Sequence, residues 1–274
     1  MASVVAAALR RTLRLPLLVA LLFGGLATVT LAFPFGREPF RRAAIRIWSG
    51  WLCRSCGLRV VERPAPGARP LSQLPPGRLV VANHVSWLDI FAIDAACPAA
   101  FVAKAEIARW PLLGTLVART GTLFIERGKR HAVHRMIEHI DRRLQVGGRV
   151  AVFPEGTTGD GRRLLPFHAN LVQAALDAGA PIVPIGLRYV DADGSPSAAI
   201  EYIGDTTFLA SLWRIVGAPG MRCELHALPE IPPGEGRSRH AIAQSARAAI
   251  SERLALPLED VLPEKLRDLR VARH

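Results

Sequence analysis

The sequence predicts an α/β fold: a mixed, largely parallel central sheet flanked by helices, with an N-terminal membrane-inserting helical segment. Three observations carry this. Short apolar runs alternate with helical patterns from Leu79 to Tyr189, as strand–helix units do. No charged residue occurs from Leu15 to Gly36. Half of the 274 residues are hydrophobic, enough for one sizeable core but not for two full domains and an anchor.

The charge-free stretch is long enough to cross or deeply enter a bilayer, which takes roughly 20 apolar residues. Arg10, Arg11 and Arg14 precede it; Arg37, Arg41, Arg42 and Arg46 follow it. A span, a re-entrant hairpin, a cleaved signal peptide and a buried core helix all fit such a segment. Against cleavage, the chain runs into Pro34-Phe35-Gly36-Arg37 with no small-x-small site before a polar start. Arginine on both sides suits a hairpin with both ends on one face, and Gly24-Gly25 and Pro34 are compatible with its bend. The run Arg41 to Leu58 places Ile45, Trp48, Leu52 and Cys56 on one face, as an interfacial amphipathic helix or one docked on the main domain would. These helices make up residues 1–61.

Residues 62–78 hold five prolines, from Pro64 to Pro76, and form a linker. The α/β domain follows over 79–258. Strands are expected at Leu79–Ala82, Ala100–Ala103, Thr122–Glu126, Arg149–Phe153 and Ile182–Tyr189, with weaker ones near Ala199–Ile203 and Arg222–Leu228. Helices are expected at Trp87–Cys97, up to Thr120, at His131–Gln145, Asn170–Ala178 and Ser238–Leu254. Residues 259–274 are a polar tail.

The formal charge is +12, and residues 1–60 hold nine arginines against one glutamate. Such a balance suits nucleic acid or an anionic membrane surface. The arginines flank an apolar stretch and no basic patch interleaves with stacking aromatics, so the expected partner is a membrane and not nucleic acid. Four cysteines in a chain this long imply no disulfide framework and fit a reducing compartment. Cys53-x-x-Cys56 lies in an apolar helical run and reads as packing rather than redox or metal chemistry. His131, His134 and His139 occupy different faces of one helix, so no metal site is expected.

Chemistry is expected first at Asn83-His84-Val85-Ser86-Trp87-Leu88-Asp89, directly after a buried strand. Functional groups gather at the carboxyl ends of strands in open α/β sheets. A histidine there can take a proton from a hydroxyl, and an aspartate on its other ring nitrogen fixes the tautomer. On a straight helix, positions five apart lie about 140° from each other. His84 and Asp89 therefore meet only if His84 sits on the turn before the helix and Asp89 on its first turn. Asn83 or Ser86 is then a candidate cap. Alone, the pair is a weak signal that a structural histidine also explains. Gly121-Thr122-Leu123-Phe124-Ile125-Glu126-Arg127 adds an arginine able to hold a phosphate with two hydrogen bonds. Phe153-Pro154-Glu155-Gly156-Thr157-Thr158 adds a strand entering a glycine turn with a carboxylate, and Val183-Pro184-Ile185 lies in a further strand. Separately, Arg127 reads as a solvated charge and Glu155 as a turn residue.

In this order and spacing the four segments resemble the blocks of the glycerophospholipid acyltransferase family, the PlsC-like lysophosphatidic acid acyltransferases. The likeness covers roughly residues 79–190; Lys104-Ala105-Glu106 with Pro111 and Gly114 resembles the stretch between the first two blocks. It implies O-acyl transfer from a thioester of acyl carrier protein or coenzyme A to a lysophospholipid hydroxyl, without a further cofactor. It implies His84 as general base with Asp89 orienting it, and Asn83 and Ser86 shaping the turn. Arg127, with Gly121 behind it and Lys104 near it, would hold the acceptor's phosphate. Glu155, Gly156 and Thr157 would complete acceptor binding, and Pro184 would shape the acyl-donor wall. It also implies the cytoplasmic face of the inner membrane. No Gly-x-Ser-x-Gly elbow appears, and direct attack by the acceptor on the thioester suffices. The chain departs from the phosphatidate-forming pattern at Thr158, His168 and Asn170, where arginine, lysine and glycine are frequent. Those changes resemble the branch that acylates lyso-ornithine lipid. The expected acceptor is 1-acyl-sn-glycerol-3-phosphate, with lyso-ornithine lipid second; a non-catalytic lipid binder would have no need of the His84–Asp89 pair.

Overall fold

The computed structural model describes residues 2–126, 130–234 and 238–259. Arg127 and the tail from residue 260 lie outside the described residues, so the expectations placed on them find no counterpart here.

Seven strands form one sheet in the order β1-β7-β6-β2-β5-β3-β4. They are β1 (Leu58–Glu62), β2 (Leu79–Ala82), β3 (Ala100–Lys104), β4 (Leu123–Ile125), β5 (Val150–Val152), β6 (Ile182–Val190) and β7 (Met221–Ala227). Strands β6, β2, β5, β3 and β4 run parallel; β7 turns back antiparallel on β6, and β1 lies parallel to β7. β2 is central and buried along its whole length. Val80 and Ala82 face one core and Leu79 and Val81 the other, which is why its four residues are all apolar.

The first core packs under α2 (Glu38–Ser55), α3 (Leu88–Ala96) and α7 (Phe208–Gly217), through residues such as Leu52, Leu88, Ile93 and Ile215. The second packs under α5 (Arg130–Gln145), α6 (Gln173–Asp177) and α8 (Arg239–Leu254), through Ile140, Ala174, Ile242 and Ile250. The short α4 (Leu113–Arg119) precedes β4.

The N-terminal segment is a helical hairpin. α1 (Ala2–Ala27) continues as a π-helical stretch over Thr28–Ala32, and Val4–Ala32 is long and apolar enough to cross a membrane. Most of its surface is exposed, including Leu9, Leu13, Leu17 and Phe23, unlike a buried core helix. The helix does not bend at Gly24-Gly25. A Cβ on Gly25 would come 2.6 Å from Trp48 Nε1, so this glycine lets α2 approach, and the Trp48 indole donates to the Leu21 carbonyl at 2.8 Å. The reversal comes at Phe33–Arg37, where Arg41 donates twice to the Phe33 carbonyl.

Three arginines expected at a lipid surface bind protein instead. Arg10, Arg11 and Arg14 donate to the carbonyls of Gly217, Trp213, Val216 and Ala218 at the carboxyl end of α7, and Arg11 lies over the Trp213 ring. Helix carboxyl ends leave carbonyls unpaired and carry partial negative charge, so cations settle there. This joins the anchor to the domain.

Two further differences concern boundaries. β1, inside the segment 1–61, belongs to the sheet: Gly57, at φ +76°, ends α2 and turns the chain into it. Ala198–Ile200 is a 3-10 turn rather than part of a strand, and the chain before it touches β6 through a single bridge between Val190 and Pro196.

Candidate active site

His84 stands on the turn after β2, and Asp89 in the first turn of α3. His84 Nδ1 and Asp89 Oδ2 are 2.7 Å apart. The placement needed for the two to meet is therefore the one adopted. The same Oδ2 accepts the backbone N–H groups of Val85 at 2.7 Å and Ser86 at 3.0 Å, and Oδ1 accepts the Tyr189 hydroxyl at 2.6 Å. Asp89 is fully buried, so its cost of desolvation is offset by these four donors. Asp89 thus ties down the amides of the turn that precedes α3, and neither Asn83 nor Ser86 caps the helix: the Ser86 hydroxyl lies 3.5 Å from the Leu88 amide, too long to act as a strong cap. Burial and Asp89 push the Tyr189 phenol well above its ordinary value, so it keeps its proton and donates. With Asp89 accepting throughout, Nδ1 carries the imidazole proton and Nε2 keeps a lone pair for a substrate hydroxyl.

The imidazole is held on a second side. Its ring stacks on Phe153 at 4.0 Å and 11°, and Phe153 stacks in turn on Phe101. Its backbone is also fixed: Glu155 Oε1 accepts the His84 N–H at 2.8 Å, and the His84 carbonyl accepts the Gly159 N–H at 2.7 Å. The first and third blocks are thus one unit, with His84 clamped and its side chain about one-fifth exposed.

Several residues expected to bind substrate lie beneath the site. Asn83 is buried and ties β2 to β6, donating to the Leu187 carbonyl at 3.1 Å and accepting its N–H at 2.7 Å. Glu155 is buried, and its second oxygen accepts the Leu165 N–H at 3.3 Å. Arg247 of α8 donates to the carbonyls of Leu164 and Leu165, pinning the same loop from behind. Pro184 is buried inside β6 opposite Val81 and does not line the large cavity described below. Gly156 (φ +70°) and Gly121 (φ +92°) hold left-handed turns open only to glycine at little cost. Gly121 backs onto Arg143. Thr157 is half-buried in the turn after Gly156, and Lys104 is exposed at the end of β3. Phe153 and Tyr189 are site residues that sequence reasoning does not pick out; a tyrosine at a buried position near the end of a largely apolar strand is the available signal.

Burial pushes the Glu155 carboxyl up to about 8, against the pull of the two amides it accepts. Desolvation raises Asp94 to about 8 as well. Both fold more stably protonated, so the stability they add is full below the ordinary carboxylate range and is lost as pH rises towards 8. His226, lowered by burial, acts in the opposite sense only below about 6.5. The folding free energy in detergent is expected to fall between about pH 6.5 and 8.5 by on the order of 1–2 kcal/mol per group, read as a falling thermal midpoint. Glu155→Gln should flatten that slope; a slope unchanged in this variant would assign it elsewhere.

Beside the site lies a cavity of about 1000 Å³ between the helical hairpin and the sheet. Leu21, Trp48, Phe91, Phe101, Leu116 and Val117 are among its apolar lining. Phe101 thus belongs both to the cavity wall and to the ring stack behind His84. The four cysteines are buried free thiols, and burial pushes each of them up, away from the thiolate a nucleophile needs. Among the described residues, no group of three or more His, Cys, Asp or Glu is placed to hold a metal ion.

The profile of the family described as Acyltransferase matches residues 68–188. The 1-acyl-sn-glycerol-3-phosphate acyltransferase of Neisseria meningitidis is 39% identical over 220 residues, covering 78% of this chain and 83% of that protein. The lyso-ornithine lipid O-acyltransferase of Pseudomonas aeruginosa is 38% identical over 250 residues, covering 90% and 93%. The crystal structure of the 1-acyl-sn-glycerophosphate acyltransferase PlsC from Thermotoga maritima superposes with a TM-score of 0.67 at 20% identity, over 92% of this chain and 96% of that one, a likeness of fold. A catalytic-type His–Asp pair at the carboxyl end of β2, an apolar cavity beside it and relatives matched over most of their length lead to one conclusion: the chain is an enzyme of the acyltransferase family.

Proposed function

We propose that the protein moves a fatty acyl group from a thioester to the free hydroxyl of a lysophospholipid at a membrane surface. The 2.7 Å contact between His84 Nδ1 and Asp89 Oδ2 carries this reading, because it leaves Nε2 as a base on a ring that the Phe153–Phe101 stack joins to the wall of an apolar cavity. Nε2 takes the hydroxyl proton as the oxygen attacks the thioester carbonyl. The tetrahedral intermediate then expels the thiolate, which recovers the proton from the imidazolium, and Asp89 balances the charge in between. The donor is acyl carrier protein or coenzyme A thioester, and its chain lies in the cavity. The apolar hairpin supports membrane association; the face we assign to the site is the cytoplasmic side of the inner membrane, where acyl thioesters are available.

The relatives support 1-acyl-sn-glycerol-3-phosphate as acceptor, and phosphatidic acid as product. A specific observation favours lyso-ornithine lipid as the second reading. In the loop that departs from the phosphatidate-forming pattern, the cationic groups are already engaged. Arg162 pairs with Glu201 at 3.3 Å and Arg163 with Glu259 at 2.9 Å, while the Thr158 hydroxyl donates to the Tyr202 carbonyl. Purified protein given labelled acyl thioester and a panel of lysolipids should acylate 1-acyl-sn-glycerol-3-phosphate fastest. A clear preference for lyso-ornithine lipid would replace that acceptor, and no product with any lysolipid would refute the function.

A further inference from the structure

One carboxyl group in the acyl cavity has no part in the transfer as described. Asp94, in the last turn of α3, is 7% exposed and lines the cavity. Its Oδ1 accepts the Ala99 N–H at 3.0 Å, and its Oδ2 takes no hydrogen bond from any described residue. The cavity wall around it is mostly apolar: Ala99 and Phe101 stand on β3 and its approach, and Ile90 and Phe91 precede Asp94 on α3. Ser49, buried on the facing α2, also lines the cavity. A carboxyl raised to about 8 stands there as a neutral acid near neutral pH, able both to donate and to accept.

The position along the chain path can be read from the fold. Asp89 lies beside His84, and Asp94 follows five residues later on the same helix, about 7.5 Å along its axis. Ala99 precedes β3, so Asp94 is at the amino edge of the sheet while His84 is at the carboxyl edge. A chain whose thioester carbonyl sits at Nε2 reaches Asp94 only with carbons well removed from the carbonyl. A plain methylene chain laid there covers Oδ2 and gives it nothing to bond, which disfavours that chain. A hydroxyl at that depth would satisfy it, and polar groups of this kind discriminate more sharply than apolar walls do.

We propose that Asp94 is a specificity-determining residue that makes the cavity prefer acyl chains carrying a hydroxyl in their middle or distal part. The inference rests on the reading that the cavity holds the donor's chain. The full-length protein would be given stearoyl thioester and its mid-chain monohydroxy derivative, on the carrier it turns over. The ratio of kcat/KM for the two is compared between wild type, Asp94→Asn and Asp94→Leu. The wild-type ratio should favour the hydroxylated chain by about tenfold relative to the leucine variant, with asparagine between. A derivative hydroxylated next to the thioester should show no such dependence. A merely structural role for Asp94 would lower both rates together and leave the ratio alone. Should the leucine variant fail to fold, Asp94→Ala removes the same oxygen and reads the same ratio. Equal ratios in wild type and variants would overturn the proposal. Ala103→Phe, which narrows the cavity on the His84 side of Phe101, separates the two layers. It should shift preference to shorter chains. With that shift present and equal Asp94 ratios, only the role of Asp94 falls; without it, the placement of the chain falls too.

Discussion

Replacing His84 by alanine is expected to lower turnover by about a thousandfold or more, while the protein stays folded and membrane-bound. A positioned general base contributes about 10²–10⁴ to rate, and with no covalent intermediate in the scheme nothing else takes the hydroxyl proton. The reason to expect an intact fold is specific. The hydrogen bonds by which His84 joins the first and third blocks are made by its backbone: the N–H to Glu155 and the carbonyl to the Gly159 amide. Alanine keeps both. It loses the stack on Phe153 and leaves Asp89 one donor short, but the Val85, Ser86 and Tyr189 donors remain. The cost is on the order of 1–2 kcal/mol, well below what unfolds a domain of this size. Turnover within about tenfold of wild type would remove His84 from the mechanism, and a variant that no longer sediments with membranes or melts cooperatively would show the clamp to depend on the ring.

What could be read from the sequence was local, and what could not be read was contact between distant segments. The strand at Leu79–Ala82, the turn at His84 and the first helical turn at Asp89 follow from apolar patterning and helix geometry over a dozen residues. The sequence could also say that the pair meets only in that one arrangement. It could not say that Tyr189, a hundred positions away, completes the carboxylate's shell, since nothing in a strand pattern shows where its hydroxyl ends. Glu155 is a similar case. A carboxylate in a glycine turn looks like a ligand-binding group, and only the packed loop reveals that both its oxygens are taken by amides. The arginines at Arg10, Arg11 and Arg14 were legible as cations beside an apolar run, but whether they face lipid headgroups or the carbonyls of α7 depends on where α7 docks. Gly25 reads as a break in the sequence and serves as a close approach in the fold, because only the position of Trp48 decides between them.

The companion prediction concerns Asp89→Asn. The wild-type carboxylate accepts four donors, three on Oδ2 and one on Oδ1. An asparagine amide has one oxygen and one NH₂. Its best fit keeps the oxygen at the Oδ2 position for the Val85 and Ser86 amides and turns the NH₂ to Tyr189, whose hydroxyl can rotate to accept. The turn before α3 is then largely preserved, and the loss of stability is modest. Activity is another matter, since a neutral amide no longer stabilises the imidazolium that forms when Nε2 takes the proton. A fall in kcat of about 10³–10⁴ is expected, in line with the loss of such a partner in other His–Asp pairs. Tyr189→Phe removes only the donor on Oδ1 and should cost far less. The decisive measurement is the double variant His84→Ala/Asp89→Asn. If Asp89 acts only through His84, the double variant is no slower than His84→Ala alone, because residues that work as a unit are lost together. Effects that multiplied would mean that Asp89 touches the reaction by some route other than the ring it holds, and the pair would have to be separated into two roles.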